Sequence, residues 1–144
     1  GQDVAFLCEG VPLLDGSVIY LLERLQHRFT VETVPGLLSF VACAAALQLP
    51  LARRTDSFGI VPGTLPDDEL RRRISALQSV AIIKVGRHRA RLSGVLADLG
   101  LLDRAMVVEE VTHARQRIHP LRDVTGDLPY FATIMISASA EDPA

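Results

Sequence analysis

Six consecutive residues, Val80-Ala81-Ile82-Ile83-Lys84-Val85, constrain the fold of this chain more than any other stretch. A run this short and this apolar, without polar alternation, fits a strand buried on both faces. Such strands occur in parallel sheets covered by helices. The flanking segments have helical periodicity. Upstream, Thr64-Leu65-Pro66-Asp67 opens a helix whose early acids suit its N-terminal dipole, and Leu70, Ile74 and Leu77 form its inner stripe. Downstream, a helix from about Arg89 to Leu99 stops at Gly100, a natural C-cap. With Phe58-Gly59-Ile60-Val61 as the preceding strand, the order strand, helix, strand, helix predicts a parallel βαβ unit.

Three further strands are expected at Ala105 to Val111, Gln116 to His119 and Tyr130 to Ile136, with no long helix between them. The sheet should therefore be mixed, parallel first and antiparallel last. Towards the N-terminus, Val4-Ala5-Phe6-Leu7-Cys8 reads as a buried strand, followed by the turn Glu9-Gly10-Val11-Pro12. A helix from about Gly16 carries Val18, Leu21, Leu22, Leu25 and Phe29 on one stripe. Val31-Glu32-Thr33-Val34 reads as a short strand, Pro35-Gly36 as a break, and Leu38 to Leu47 as an Ala-rich buried helix that Pro50 ends. A domain boundary is placed near Pro35-Gly36, with one sheet on each side of it. A buried parallel strand needs neighbours on both edges, so the first domain is expected to be present only in part.

With 49% hydrophobic and 22% charged residues, the 144-residue chain has ample material for a core. A formal net charge of -2 offers no general attraction for nucleic acid or acidic membranes, and no partner of either kind is expected. No apolar run reaches the roughly 18 residues of a membrane span, and no signal peptide is visible. Cys8 and Cys43 are far apart and form no CxxC pair, which speaks against a disulfide framework or zinc site and suits a cytoplasmic location.

Hydrolase, zincin, P-loop and dinucleotide fingerprints are all missing, and His27, His88, His113 and His119 lack paired ligand spacing. No catalytic side chain and no metal site are assigned. A site that works by positioning two reactants would leave this faint a signature. Leu7-Cys8-Glu9-Gly10-Val11-Pro12 falls where ligands bind in open α/β sheets, but its spacing alone favours an ordinary tight turn. By their position alone, Arg87 and His88 read as the solvated start of a helix. Arg89 and Arg91 read as solvated, Arg71, Arg72 and Arg73 as an exposed helix face, and both cysteines as small core residues.

Several segments, in order, resemble the tetrapyrrole (corrin/porphyrin) methylase family. Glu9-Gly10-Val11-Pro12 resembles its E-G-D-P turn, and Val34-Pro35-Gly36-Leu37-Leu38-Ser39 its V-P-G-[VI]-S-S linker, with Leu49-Pro50-Leu51-Ala52 closing the Ala-rich helix. Val61-Pro62-Gly63-Thr64-Leu65-Pro66, Ile83-Lys84-Val85-Gly86-Arg87-His88, and Val111-Thr112 with Gln116-Arg117 are similar to stretches of the branch acting at C20 of precorrin-2, and Pro129-Tyr130-Phe131 resembles the P-Y-F before the family's last strand. The resemblance implies two α/β domains with mixed sheets, residues 1–36 being the end of the first and 37–144 the second. It implies S-adenosyl-methionine-dependent methyl transfer to C20 of precorrin-2 in cobalamin biosynthesis, by a homodimer with a tetrapyrrole substrate. By motif, Glu9, Gly10, Val11, Ser39, Phe40, Val85, Val111 and Thr112 would line the methyl donor, and Arg87 and His88 would meet the substrate.

The chain departs from the family pattern where Val11 replaces an aspartate and Asp15 stands in place of a tyrosine. These departures suit a truncated, degenerate homologue serving only as a dimerisation scaffold as one alternative; the other is the same methylation on cobalt-factor II, whose metal would travel with the substrate and which the motifs do not separate from precorrin-2.

Overall fold

The computed structural model describes residues 2–8 and 10–138. Two compact units divide the chain, Gly1–Ser39 and Phe40–Ala144.

The second unit is built on one five-stranded mixed sheet. Its strands are β1 (Phe58–Pro62), β2 (Ser79–Ile83), β3 (Met106–Glu109), β4 (Arg117–Pro120) and β5 (Ala132–Ile136). Their order across the sheet is β1-β2-β5-β3-β4. β1 and β2 pair in parallel, while β5 is antiparallel to both β2 and β3, and β4 is antiparallel to β3. β1, β2 and β3 therefore all point the same way. The expected parallel-then-antiparallel sheet is present, with the apolar run beginning at Val80 beside two neighbours.

Helix α3 (Asp67–Ser75) connects β1 to β2, and α4 (Arg89–Asp98) follows β2. Leu70 and Ile74 of α3 and Leu92, Val95 and Leu96 of α4 are buried with Val61, Val80, Ile82, Val107, Ile134 and Ile136 from one sheet face. Leu77 packs half-buried against this core. Burying one such side chain stabilises the fold by roughly 1.5–3 kcal/mol, so the repeat of inward residues decides the layer. Gly100 takes φ +68 just beyond α4, as a helix stop requires. The other face carries Ala81, Thr133 and Met135, all buried. There Cys43 is hydrogen-bonded to Thr133 and Phe40 meets Phe58 at 5.4 Å between ring centroids. Cys43 and Phe40 come from the Ala-rich helix, α2 (Ser39–Leu47). Burial pushes the Cys43 thiol up from its ordinary range, as suits a core residue.

The first unit differs from expectation. Its one helix, α1 (Val18–Leu25), forms where periodicity placed it, but none of its residues is buried. Neither Val4–Cys8 nor Val31–Val34 is a strand. Val4 and Leu7 are each 91% exposed, and Val34 is exposed too. The expected second sheet is thus not present among the described residues. A strand needs a ladder partner for its backbone groups, and none of the described residues of this unit is in one. Chain reversal is provided instead by turns. Gly10 sits at φ +81, a left-handed conformation that glycine adopts without a Cβ penalty. A Cβ at Gly36 would lie 2.6 Å from the Gly10 carbonyl oxygen, so the Pro35-Gly36 break packs directly on the Gly10 turn.

Candidate functional site

Because β1, β2 and β3 run in the same direction, their C-terminal ends share one edge of the sheet. Ligands in open α/β sheets bind outside that edge. The backbone leaving each strand there is unusual. After β1, Gly63 donates its N–H to the Ile83 carbonyl at 2.7 Å, and a Cβ on it would sit 3.2 Å from the Ile83 and Lys84 oxygens. After β2, Lys84 adopts φ +57. After β3, Glu110 and Thr112 adopt φ +45 and +69. Left-handed non-glycine residues cost on the order of 1–3 kcal/mol each and gather at functional sites.

A side chain from α4 holds the β1 exit in place. The Arg91 guanidinium donates to the Leu65 carbonyl at 3.0 Å, to the Gly63 carbonyl and to the Asp67 carboxylate. Arg91 is therefore a tether between helix and loop, which corrects its reading as a solvated residue. A planar five-donor group can satisfy three acceptors at once, and this one does. Arg89 reaches across to the Gly126 carbonyl at 2.8 Å. Arg71, Arg72 and Arg73 stay on the outer face, paired with Asp98 and Glu69. Hydrogen bonds from Arg72 and Arg73 lower the Glu69 carboxyl to about 2.

At the β3 exit a carboxylate is buried. Glu109 faces Arg117 across the β3–β4 ladder, and His119 lies two residues further along the same face of β4. Glu109 Oε2 accepts from Arg117 Nε at 2.9 Å, and Oε1 lies 2.9 Å from His119 Nε2. With both oxygens paired, the side chain is only 5% exposed. This carboxylate ties the two strands, with a partner on each of its oxygens. Sequence reasoning missed it because the pairing depends on register. Beside it lies an open depression of about 550 Å³ lined by Glu110, Ala114, Arg115, Gln116, Arg117 and Pro129. Tyr130 and Phe131 stand exposed nearby, edge to face at 5.0 Å, with His113 stacked on Phe131 at 6.5 Å.

The residues singled out from the sequence distribute as follows. Val85, Arg87, His88, Val111 and Thr112 all come to the carboxyl edge of the second unit's sheet. Val85 is completely buried, and its carbonyl accepts the His88 N–H at 2.8 Å. Arg87 is exposed and His88 half-buried in the short 3-10 turn Gly86–His88. Val111 is half-buried and Thr112 exposed. Gly10 and Val11 lie in the first unit, where a Cβ on Gly10 would meet open space. Glycine is required there by φ, and no close packing adds to that demand. Ser39 begins the Ala-rich helix, and the Phe40 ring packs on Phe58, at the far end of β1 from Gly63. Glu9 lies outside the described residues. Among the described residues no cluster of three or more His, Cys, Asp or Glu is placed to hold a metal ion, and no helix is long and apolar enough to cross a membrane.

The family described as Tetrapyrrole (Corrin/Porphyrin) Methylases matches residues 1–125. This chain belongs to that family. Among tetrapyrrole methylases, it is 35% identical over 144 residues to the precorrin-2 C(20)-methyltransferase of Sinorhizobium sp, covering 99% of this chain and 59% of that protein. It is 34% identical to the cobalt-precorrin-2 C(20)-methyltransferase of Salmonella typhimurium, covering 98% and 61% respectively. The chain thus spans about three fifths of the length of these relatives. A solved uroporphyrin-III C-methyl transferase from Thermus thermophilus, complexed with S-adenyl homocysteine, superposes with a TM-score of 0.64 at 26% identity. That match covers 88% of this chain and 62% of the other. The methyltransferase CobJ, at 21% identity and a TM-score of 0.68, shares the fold. The tetrapyrrole methylase fold expected from the motifs is the one observed.

Proposed function

We propose that this tetrapyrrole methylase is part of an S-adenosyl-methionine-dependent methyltransferase that methylates C20 of precorrin-2 in cobalamin biosynthesis. One observation carries the reading: two relatives named for C20 methylation match nearly the whole chain at 35% and 34% identity. In this reading residues 1–36 are the end of a first methylase domain and 37–144 the second. The enzyme is a cytoplasmic homodimer.

The methyl donor supplies an electrophilic sulfonium methyl, and the macrocycle's own carbon is the nucleophile. The chain's residues then have to bind, orient and exclude water, with no covalent intermediate. At the carboxyl edge of the second unit, Val85, Val111 and Thr112 would line the donor, chiefly through backbone. The strained backbone at Glu110 and Thr112 supports this. Arg87, exposed beside the half-buried His88, suits carboxylates on the substrate. The Salmonella typhimurium relative keeps the cobalt-containing substrate as a second reading, since 35% and 34% identity do not separate the two.

The test is calorimetric titration of S-adenosyl-homocysteine into the protein made from its complete coding sequence, followed by methylation assays on precorrin-2 and cobalt-factor II in parallel. Binding plus C20 methylation of either substrate upholds the reading. A folded protein that binds no S-adenosyl-homocysteine removes it.

A further inference from the structure

The loop 110–116 joins β3 to β4 and carries Val111 and Thr112 at the carboxyl edge. Both of its ends are anchored. Glu109 and Arg117 pair across the ladder, Glu110 donates its N–H to the Phe131 carbonyl at 2.7 Å, and Arg115 pairs with Glu110 at 2.9 Å. Within the loop, His113 N–H bonds to the Glu110 carbonyl and Gln116 N–H to the His113 carbonyl, each at 3.0 Å.

Thr112 is the strained member. A β-branched residue at φ +69 is a genuine backbone outlier, and it persists only where its surroundings over-determine it. The contact that does so comes from four residues away: the Thr112 N–H donates to Gln116 Oε1 at 2.8 Å. Gln116 is itself exposed, so its side chain contributes little to the core. Its amide oxygen instead sets the direction of one backbone N–H beside the depression it lines.

We propose that Gln116 is a positioning residue for the methyl donor, acting through Thr112; this rests on the donor-site reading of Val111 and Thr112 above. Without the Gln116 acceptor, Thr112 relaxes towards ordinary negative φ. The loop then offers its binding conformation only part of the time. Apparent affinity falls by that fraction, so a loop competent about a tenth of the time binds about tenfold more weakly.

The experiment titrates S-adenosyl-homocysteine into the protein from its complete coding sequence, as wild type and as Gln116→Ala, Gln116→Asn and Gln116→Glu. The alanine variant lacks the acceptor, and the asparagine variant falls one methylene short. Both should bind about tenfold more weakly, with thermal midpoints unchanged. The glutamate variant keeps an oxygen at the same reach and should stay within about threefold of wild type. If wild type binds and the alanine variant matches it, the inference fails while the donor site stands. Equal weakening in all three variants also overturns it, since the acceptor oxygen would then not be the cause. If wild type itself does not bind, the donor-site reading falls and takes this inference with it.

Discussion

Two tetrapeptides of nearly the same character behave in opposite ways in this molecule. Val4-Ala5-Phe6-Leu7 opens the first unit as exposed, irregular chain, with Val4 and Leu7 each 91% exposed. Val80-Ala81-Ile82-Ile83 is the heart of β2, with Val80 at 1% and Ala81 and Ile82 at 0%. The difference lies in the neighbours. β2 has β1 on one edge and β5 on the other, α3 and α4 over one face, and the Cys43–Thr133 contact on the other face of the sheet. Apolar composition supplies a reason to be buried; ladder partners and covering helices supply the place.

The largest test of that contrast is a pair of truncations. Ile82→Ala should destabilise the chain by about 2–5 kcal/mol, the usual range for a buried large-to-small change. Leu7→Ala should stay within about 0.5 kcal/mol, as for an exposed site. Urea denaturation of both variants measures the two values, and a Leu7→Ala loss as large as that of Ile82→Ala would break the comparison.

A smaller effect probes what holds the second unit's carboxyl edge. Arg91→Ala should cost about 1–3 kcal/mol, because the Gly63 and Leu65 carbonyls and the Asp67 carboxylate lose a charged donor. Arg91→Lys should recover less than half of that, since one ammonium cannot span three acceptors in a fixed fork. Full recovery by lysine in thermal unfolding would show that charge alone suffices.

The smallest effects come from two glycines, one in each unit. Gly94 lies within α4, and a Cβ there meets nothing within 4 Å. Gly94→Ala should therefore stabilise by about 0.4–1 kcal/mol. Gly10 also has open space, but its φ of +81 is the obstacle. Gly10→Ala should cost about 1 kcal/mol. The opposite signs, read from denaturation midpoints, would separate backbone conformation from crowding as the reason for glycine.

The order of elements in the second unit could be read from sequence because each depends on local periodicity. The Leu70–Ile74 spacing makes α3 amphipathic wherever it packs, and Gly100 stops α4 by its own backbone freedom. The motifs also brought Val85, Val111 and Thr112 to notice before their shared edge was visible. What the sequence could not supply was pairing. Whether Val4–Leu7 becomes a strand depends on residues that would lie beside it, and the regular apolar pattern carries no information about their presence.

The same limit governs the site. Glu109, Arg117 and His119 are unremarkable as letters, and only the β3–β4 register sets the three on one face. Arg91 looks like any basic residue in a helix's first turn until α4 packs where its guanidinium meets three oxygens of the β1 exit. The left-handed turns at Lys84, Glu110 and Thr112 oppose those residues' own preferences, so no propensity could announce them. Local chemistry, acting within a few residues, determined the helices, the central strand and the family motifs. The sheet order, the buried carboxylate and the strained edge were decided by contacts between residues distant in sequence, whose energies exist only once the chain has folded.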